Sequence, residues 1–214
     1  MTISSSDRLR DTASALLRSR AANLVAALLL AWLWGMFCYA HLQAWQRTGV
    51  LSHLLFAASE SLVAMLFLLR HQPVAISAAP GDWLLAVAGT AAPMLFDPSG
   101  GGYAAGSGLV LAGVLIQIGG LISLNRSFGL VAARRQVKTG GMYQLVRHPL
   151  YASYLLMYSG YLLVNPSLAN MLLAVLATAL LMGRISSEER FLVRDLAYQN
   201  YMNQVRYRLI PLLY

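Results

Sequence analysis

Residues 141–151 read Gly141-Met142-Tyr143-Gln144-Leu145-Val146-Arg147-His148-Pro149-Leu150-Tyr151. Two basic groups and two tyrosines here meet the start of an apolar segment. Proline suits the first position of a helix, because the N–H that it lacks would have no partner there anyway. His148 is then the N-cap of a helix that starts at Pro149, and the free N–H groups of such an end favour anions. Read alone, Arg147-His148 is equally a basic pair anchoring a span at lipid headgroups. A second polar cluster, Arg184-Ile185-Ser186-Ser187-Glu188-Glu189-Arg190, stands where another apolar segment ends. Arg184 and Glu188 are four apart and share a helix face, whereas Glu189 points about 100° away from Glu188. Two polar clusters flanking one hydrophobic hairpin predict a site at a membrane surface, open to a water-soluble and a lipid-soluble reactant.

Composition agrees. The chain has 214 residues, 58% hydrophobic and 11% charged, where a soluble domain carries about 25% charged residues. The apolar residues come in long runs, which predicts an integral membrane protein built as one helical bundle. The net charge of +8 does not point to nucleic acid, because the basic residues sit at the ends of apolar runs. There they act as topology signals and headgroup contacts. Cys38 is the one cysteine and lies inside an apolar run, so no internal disulfide forms.

The apolar runs predict spans at about 21–40, 50–69, 82–96, 109–124, 149–164 and 168–183. The third is marginal in length, with a kink at Pro93. Arg8, Arg10, Arg18 and Arg20 precede the first run, as in a signal peptide, but its length suits a retained helix. With six crossings and a cytoplasmic N-terminus, the segments 1–20, 70–81, 125–148 and 184–214 are cytoplasmic. They hold every Lys and Arg except Arg47, as the positive-inside rule requires. Both polar clusters therefore share the cytoplasmic face. The expected fold is an all-α polytopic bundle of five to six spans with a C-terminal amphipathic helix. Residues 1–124 hold the N-terminal spans and 125–214 both polar clusters. The expected location is a bacterial inner membrane, with both termini in the cytoplasm.

Three further features carry expectations. Apolar residues Phe191, Leu192, Leu196, Tyr198, Tyr201 and Val205 predict an amphipathic helix, either an interfacial anchor or a lid over the site. Glu60 falls mid-span, where an ionisable group faces protein or water; a structural acid, an oligomer contact and a substrate-cavity group all remain open. Gly100, Gly101, Gly102, Gly106 and Gly108 predict a flexible loop on the far side, since they make no G-x-G-x-x-G. His41, His53, His71 and His148 lack metal-ligand spacing, and no nucleophile elbow occurs.

Together, Thr139-Gly140-Gly141-Met142-Tyr143, Arg147-His148-Pro149-Leu150-Tyr151, Arg184 with Glu188-Glu189, then Tyr198, Tyr201 and Arg208-Leu209-Ile210-Pro211 carry a resemblance. The pattern resembles the isoprenylcysteine carboxyl methyltransferase and phospholipid N-methyltransferase superfamily of membrane enzymes. It covers roughly 123–214. Met142 stands where proline is common, and Ala152-Ser153 replace a usual glycine. Ser153 is therefore expected to narrow the cofactor groove or reshape the acceptor opening.

The resemblance implies that S-adenosylmethionine binds at Tyr143, Arg147, His148, Pro149, Tyr151, Glu188, Glu189 and Tyr201. It also implies that a lipid-like acceptor enters from the bilayer, with 1–124 the variable, acceptor side and 125–214 the cofactor-binding methyltransferase core. Methyl transfer from a sulfonium needs positioning and exclusion of water more than a nucleophile. Arg184 suits an acceptor carboxylate or phosphate, and Glu188 or Glu189 the cofactor ammonium. His148 can take a proton from an amine acceptor. Arg184 and His148 are thus the expected catalytic pair, with no metal and oligomeric state open. Sterol-type reductases using NADPH share His148-Pro149 and Tyr151 but carry asparagine where Leu150 stands, which disfavours that reading. A non-catalytic membrane scaffold is the third alternative.

Overall fold

The computed structural model describes residues 19–49, 51–97 and 102–214. Arg8, Arg10, Arg18, Gly100 and Gly101 lie outside them. Almost all the secondary structure is helical. Among the described residues, three helices are long and apolar enough to cross a membrane: Arg20–Arg47, Ala105–Ser127 and Leu168–Leu192. The chain is an integral membrane protein.

Helix α1 (Arg20–Thr48) starts where the Ser19 side chain accepts from the Ala22 N–H and stops at Gly49, whose φ of 67° closes a left-handed cap. It therefore runs well past the expected end at 40, because no glycine or asparagine stands between 40 and Gly49. Helix α2 (Leu51–Leu69) returns alongside it. Helix α3 (Pro80–Ala91) has proline in its first turn and tightens into a 3-10 turn at Ala92–Leu95, around Pro93. Helices α4 (Ala105–Leu124), α5 (Pro149–Val164) and α6 (Leu168–Leu192) follow.

The connections gather at two ends. At one, β1 (Ala75–Ile76) pairs antiparallel with β2 (Ala133–Arg134), a ladder that an all-helical expectation omits. His71 N–H donates to the Arg126 carbonyl at 2.8 Å, and the Arg126 Nε to the Leu69 carbonyl at 2.6 Å. The C-terminal tail docks at this same end, through Arg147 N–H to the Tyr207 carbonyl and His148 N–H to the Arg208 carbonyl, both 2.9 Å. At the other end, Asn170 joins two loops: its Oδ1 accepts from Asp97 N–H, and its Nδ2 donates to the Asp97 and Asn165 carbonyls. The segments 70–81, 125–148 and 184–214, which charge groups together, thus do meet at one end of the bundle; residues 1–18 of the fourth lie outside the described residues.

Glycines position the site in an unexpected way. Gly106 and Gly108 lie within α4, and Gly102 N–H and Tyr103 N–H donate to the Val164 and Leu163 carbonyls, so the described part of the expected loop is helical or tied to the end of α5. Gly106, Gly113 and Gly120 recur at seven residues along the face of α4 that meets α5. A Cβ on Gly106 would stand 2.5 Å from the Gly160 carbonyl oxygen, and one on Gly120 2.8 Å from Leu150 Cδ2. Small residues let the two backbones approach where lipid gives no hydrophobic driving force. Leu150 then joins Val63, Phe67 and Leu121 in the core, which fixes the start of α5.

Candidate functional site

His148 caps α5 and Pro149 is its first residue, as their sequence order predicts. Beside them, α6 delivers Glu188 and Glu189 on different faces, and the two acids meet different surroundings. Glu189 is buried between two arginines and a histidine. Its Oε1 accepts from Arg147 Nε at 2.9 Å and contacts His148 Nε2 at 3.1 Å. Its Oε2 takes Arg208 Nε at 2.9 Å and Nη2 at 2.8 Å. Arg147 also donates from Nη1 to the Val205 and Arg206 carbonyls, each at 3.2 Å. One carboxylate thus ties α6, the 141–148 segment and the tail together.

Glu188 faces the opposite way. Its Oε1 accepts from the Tyr151 hydroxyl, and its Oε2 lies 4.0 Å from His148 Nδ1. The His148 and Tyr151 rings stack with centroids 5.5 Å apart. One turn earlier on α6, the buried guanidinium of Arg184 lies over the Tyr151 ring at 5.3 Å. Arg184 Nη2 donates to the Leu130 carbonyl at 3.0 Å and Nη1 to Thr90 Oγ1 at 3.4 Å. Gly89 makes room for it, since a Cβ there would stand 3.0 Å from Arg184 Cδ.

The wall is completed by tyrosines. Gly141 adopts a φ of 62°, which only glycine takes without strain, and turns Tyr143 inward. Met142 N–H donates to Ser123 Oγ at 3.1 Å; the proline usual at that place has no such N–H. Tyr201, from α7 (Leu196–Gln204), donates its hydroxyl to the Tyr143 carbonyl at 2.8 Å. Burial, then the charge of Glu188, holds the Tyr143 phenol well above its ordinary range. Burial raises Tyr198 and Tyr201 too, so all three stay neutral near pH 7.

One cavity of about 510 Å³ is lined by Tyr143, Arg147, His148, Tyr151, Arg184, Glu188 and Tyr201. These are seven of the nine residues expected at the site. Pro149 is fully buried in the fold and Glu189 faces its cations, so neither lines the cavity. The expected Arg184–Glu188 pair does not form among the described residues: Tyr151 stands between them, accepting the guanidinium on its ring and giving its hydroxyl to the acid. Ser153 does not narrow the cavity. It is fully buried, and its hydroxyl bonds back to the Leu150 carbonyl at 2.6 Å. The expected tail helix is shorter than its apolar spacing predicts. Phe191 and Leu192 end α6, Asp195 caps α7, and the chain beyond Val205 is not helical.

The sequence reading missed Arg208 as the second arginine on Glu189, and Thr90 with Gly89 as the seat of Arg184. Arg208 was in view as part of a motif, but only the fold shows what it touches. The cavity also extends between the apolar helices, where Trp34, Phe56, Glu60, Tyr154 and Tyr158 line it, while Arg135 and Lys138 line its polar end.

Residues 102–199 match the family model described as PEMT, phospholipid methyltransferase. Over this stretch the chain is similar to that family of membrane methyltransferases, in keeping with the superfamily that its motifs resemble. No curated protein matches the chain at a significant level.

Proposed function

We propose that this protein transfers a methyl group from S-adenosylmethionine to a lipid-like acceptor at the cytoplasmic face of the membrane. One observation carries the reading: a single cavity joins the polar wall of Glu188, Tyr151 and Arg184 to the aromatic space between the apolar helices. A cofactor from water and an acceptor from lipid both have access to such a space. The basic residues clustered at that end support the cytoplasmic assignment, with both termini on the same side.

The residues fit this cofactor. Glu188 is a carboxylate with no arginine on it among the described residues, and it suits an ammonium. Neutral phenols at Tyr143 and Tyr201 line the cavity, and aromatic rings attract a cation. The cavity falls within the usual range for small-molecule sites, roughly 300–1,000 Å³. When bound, S-adenosylmethionine supplies a methyl group activated on a sulfonium. Arg147 is already held by Glu189 and by the Val205 and Arg206 carbonyls. It fixes the tail over the 141–148 segment. Arg184 holds an acceptor's carboxylate or phosphate through the in-plane N–H donors that Leu130 and Thr90 leave free. His148 gives Nε2 to Glu189, so Nδ1, on the Glu188 side, is the ring nitrogen left to receive a proton from an amine acceptor. A carboxylate acceptor needs no base. The packing of Leu150 into the core, where the reductases carry asparagine, supports methyl transfer over reduction.

Two measurements test this. Calorimetry on the purified protein should detect S-adenosylhomocysteine binding, and lipid extracts incubated with methyl-labelled cofactor should gain label in an amphiphile. Absence of cofactor binding in the intact protein would remove the proposal.

A further inference from the structure

The cavity has a second polar pole that methyl transfer leaves unused. Glu60 sits on α2 about 13 Å along the helix from its end at Leu69, at 1.5 Å per residue. It lines the cavity, yet among the described residues no hydrogen bond or ion pair joins its carboxylate to the protein. One turn earlier, Phe56 stacks on His41 of α1 with ring centroids 4.9 Å apart. The result is an aromatic sleeve with one acid in its wall. Tyr154 stands near enough to feel both Glu60 and Arg184, so the two poles belong to one space.

A carboxyl group in apolar surroundings keeps its place only where something satisfies it. The protein supplies no partner here, and a plain hydrocarbon tail lying in the sleeve would supply none either. We propose that Glu60 determines acceptor specificity. The acceptor then carries a hydrogen-bond donor, a hydroxyl or an ammonium, in the part that lies among the apolar helices, away from the end held by Arg184. This rests on the methyltransferase reading for the identity of the other end. It narrows the substrate class to amphiphiles with polar groups at two places, and it disfavours simple fatty or prenyl chains.

The probes are straight-chain carboxylic acids of about eight to sixteen carbons, each compared with its ω-hydroxy and ω-amino forms, a span that brackets the depth of Glu60 at about 1.3 Å per methylene. The carboxylate occupies the Arg184 end in every probe. Binding is measured on the intact protein in lipid nanodiscs. At the matching length, a substituted acid should bind about tenfold or more tighter than the plain acid, as one hydrogen bond to a charged group allows. Glu60→Leu should abolish or invert that preference. Glu60→Gln, which keeps the shape, should lose the ammonium preference and retain the hydroxyl one, and it decides the matter where the leucine variant fails to fold. S-adenosylhomocysteine affinity should not change in either. No preference at any length, or a preference untouched in the folded variants, overturns the assignment. Failure of the wild-type protein to bind S-adenosylhomocysteine would instead strike the methyltransferase reading, and the probe series distinguishes the two.

Discussion

Glu188 and Glu189 are neighbours in the chain and opposites in the fold. Glu189 is enclosed by Arg147, His148 and Arg208, with both oxygens engaged. Glu188 bonds to one phenol and faces the cavity with Arg184 a turn away. The 100° between successive helix residues separates the two roles. One acid holds the site together, and the other is left for what enters it. A pair of adjacent acids therefore says less about ligand binding than the cations around each one.

The comparison breaks most visibly at Glu189. Alanine there leaves the buried Arg147 and the half-exposed Arg208 without their shared acid. Removing one partner from such a pair costs about 3–5 kcal/mol, and the tail that Arg208 anchors should detach. Thermal unfolding should shift down sharply, and limited proteolysis should cut after about residue 205. A Glu189→Ala protein with wild-type stability would mean that these contacts are not what holds the tail. Any loss of cofactor binding in this variant is then a consequence of lost structure.

Glu188→Ala should behave in the reverse way. Stability falls by about 1 kcal/mol, the share of one hydrogen bond with Tyr151. S-adenosylhomocysteine affinity should fall by roughly tenfold to a hundredfold, the worth of a charged contact. Calorimetry beside thermal unfolding separates the two acids in one experiment. Equal losses of stability in both variants would erase the distinction.

Arg184→Lys sharpens the open side of the comparison. The guanidinium reaches Leu130 and Thr90 while lying flat on Tyr151. An ammonium makes no planar, bidentate contact. Turnover should drop by about tenfold or more, and cofactor affinity should hold, because Glu188 and the tyrosines stay in place. Normal turnover would take Arg184 out of the reaction and leave it a packing residue.

These contrasts also mark what the chain discloses on reading. Local patterns survive folding well. His148 does cap the helix that Pro149 begins, and the basic segments do collect at one end. The seven-residue glycine repeat of α4 was readable too, but its tip looks like a flexible loop when counted only by composition. The partners of Glu189 were not readable. They come from two segments remote from it, 147–148 and the tail, and nothing local tells an acid destined for arginines from one kept for a ligand. Thr90 and Gly89, which seat Arg184, belong to a helix remote in sequence and carry no motif of their own. Helix lengths failed where the stop was a single residue, as at Gly49, or where an N-cap such as Asp195 split one apolar pattern into two helices.

The smallest expected effect lies at Thr90. Its hydroxyl donates to the Ala86 carbonyl at 2.8 Å and accepts from Arg184 Nη1 at 3.4 Å, a long bond. Valine keeps the shape of the side chain and removes both contacts. The Ala86 carbonyl keeps its helix partner, so the stability change should be about 0.5–1 kcal/mol at most. Arg184 remains tied to Leu130 and stacked on Tyr151, so it loses one of three restraints. Turnover should fall by about twofold to fivefold, against tenfold or more for Arg184→Lys, at unchanged cofactor affinity. That ordering is the test. A Thr90→Val loss as large as that of Arg184→Lys would mean that the α3 contact, and not the guanidinium's own donors, sets the reaction geometry. No loss at all would show that Leu130 and Tyr151 suffice to aim it.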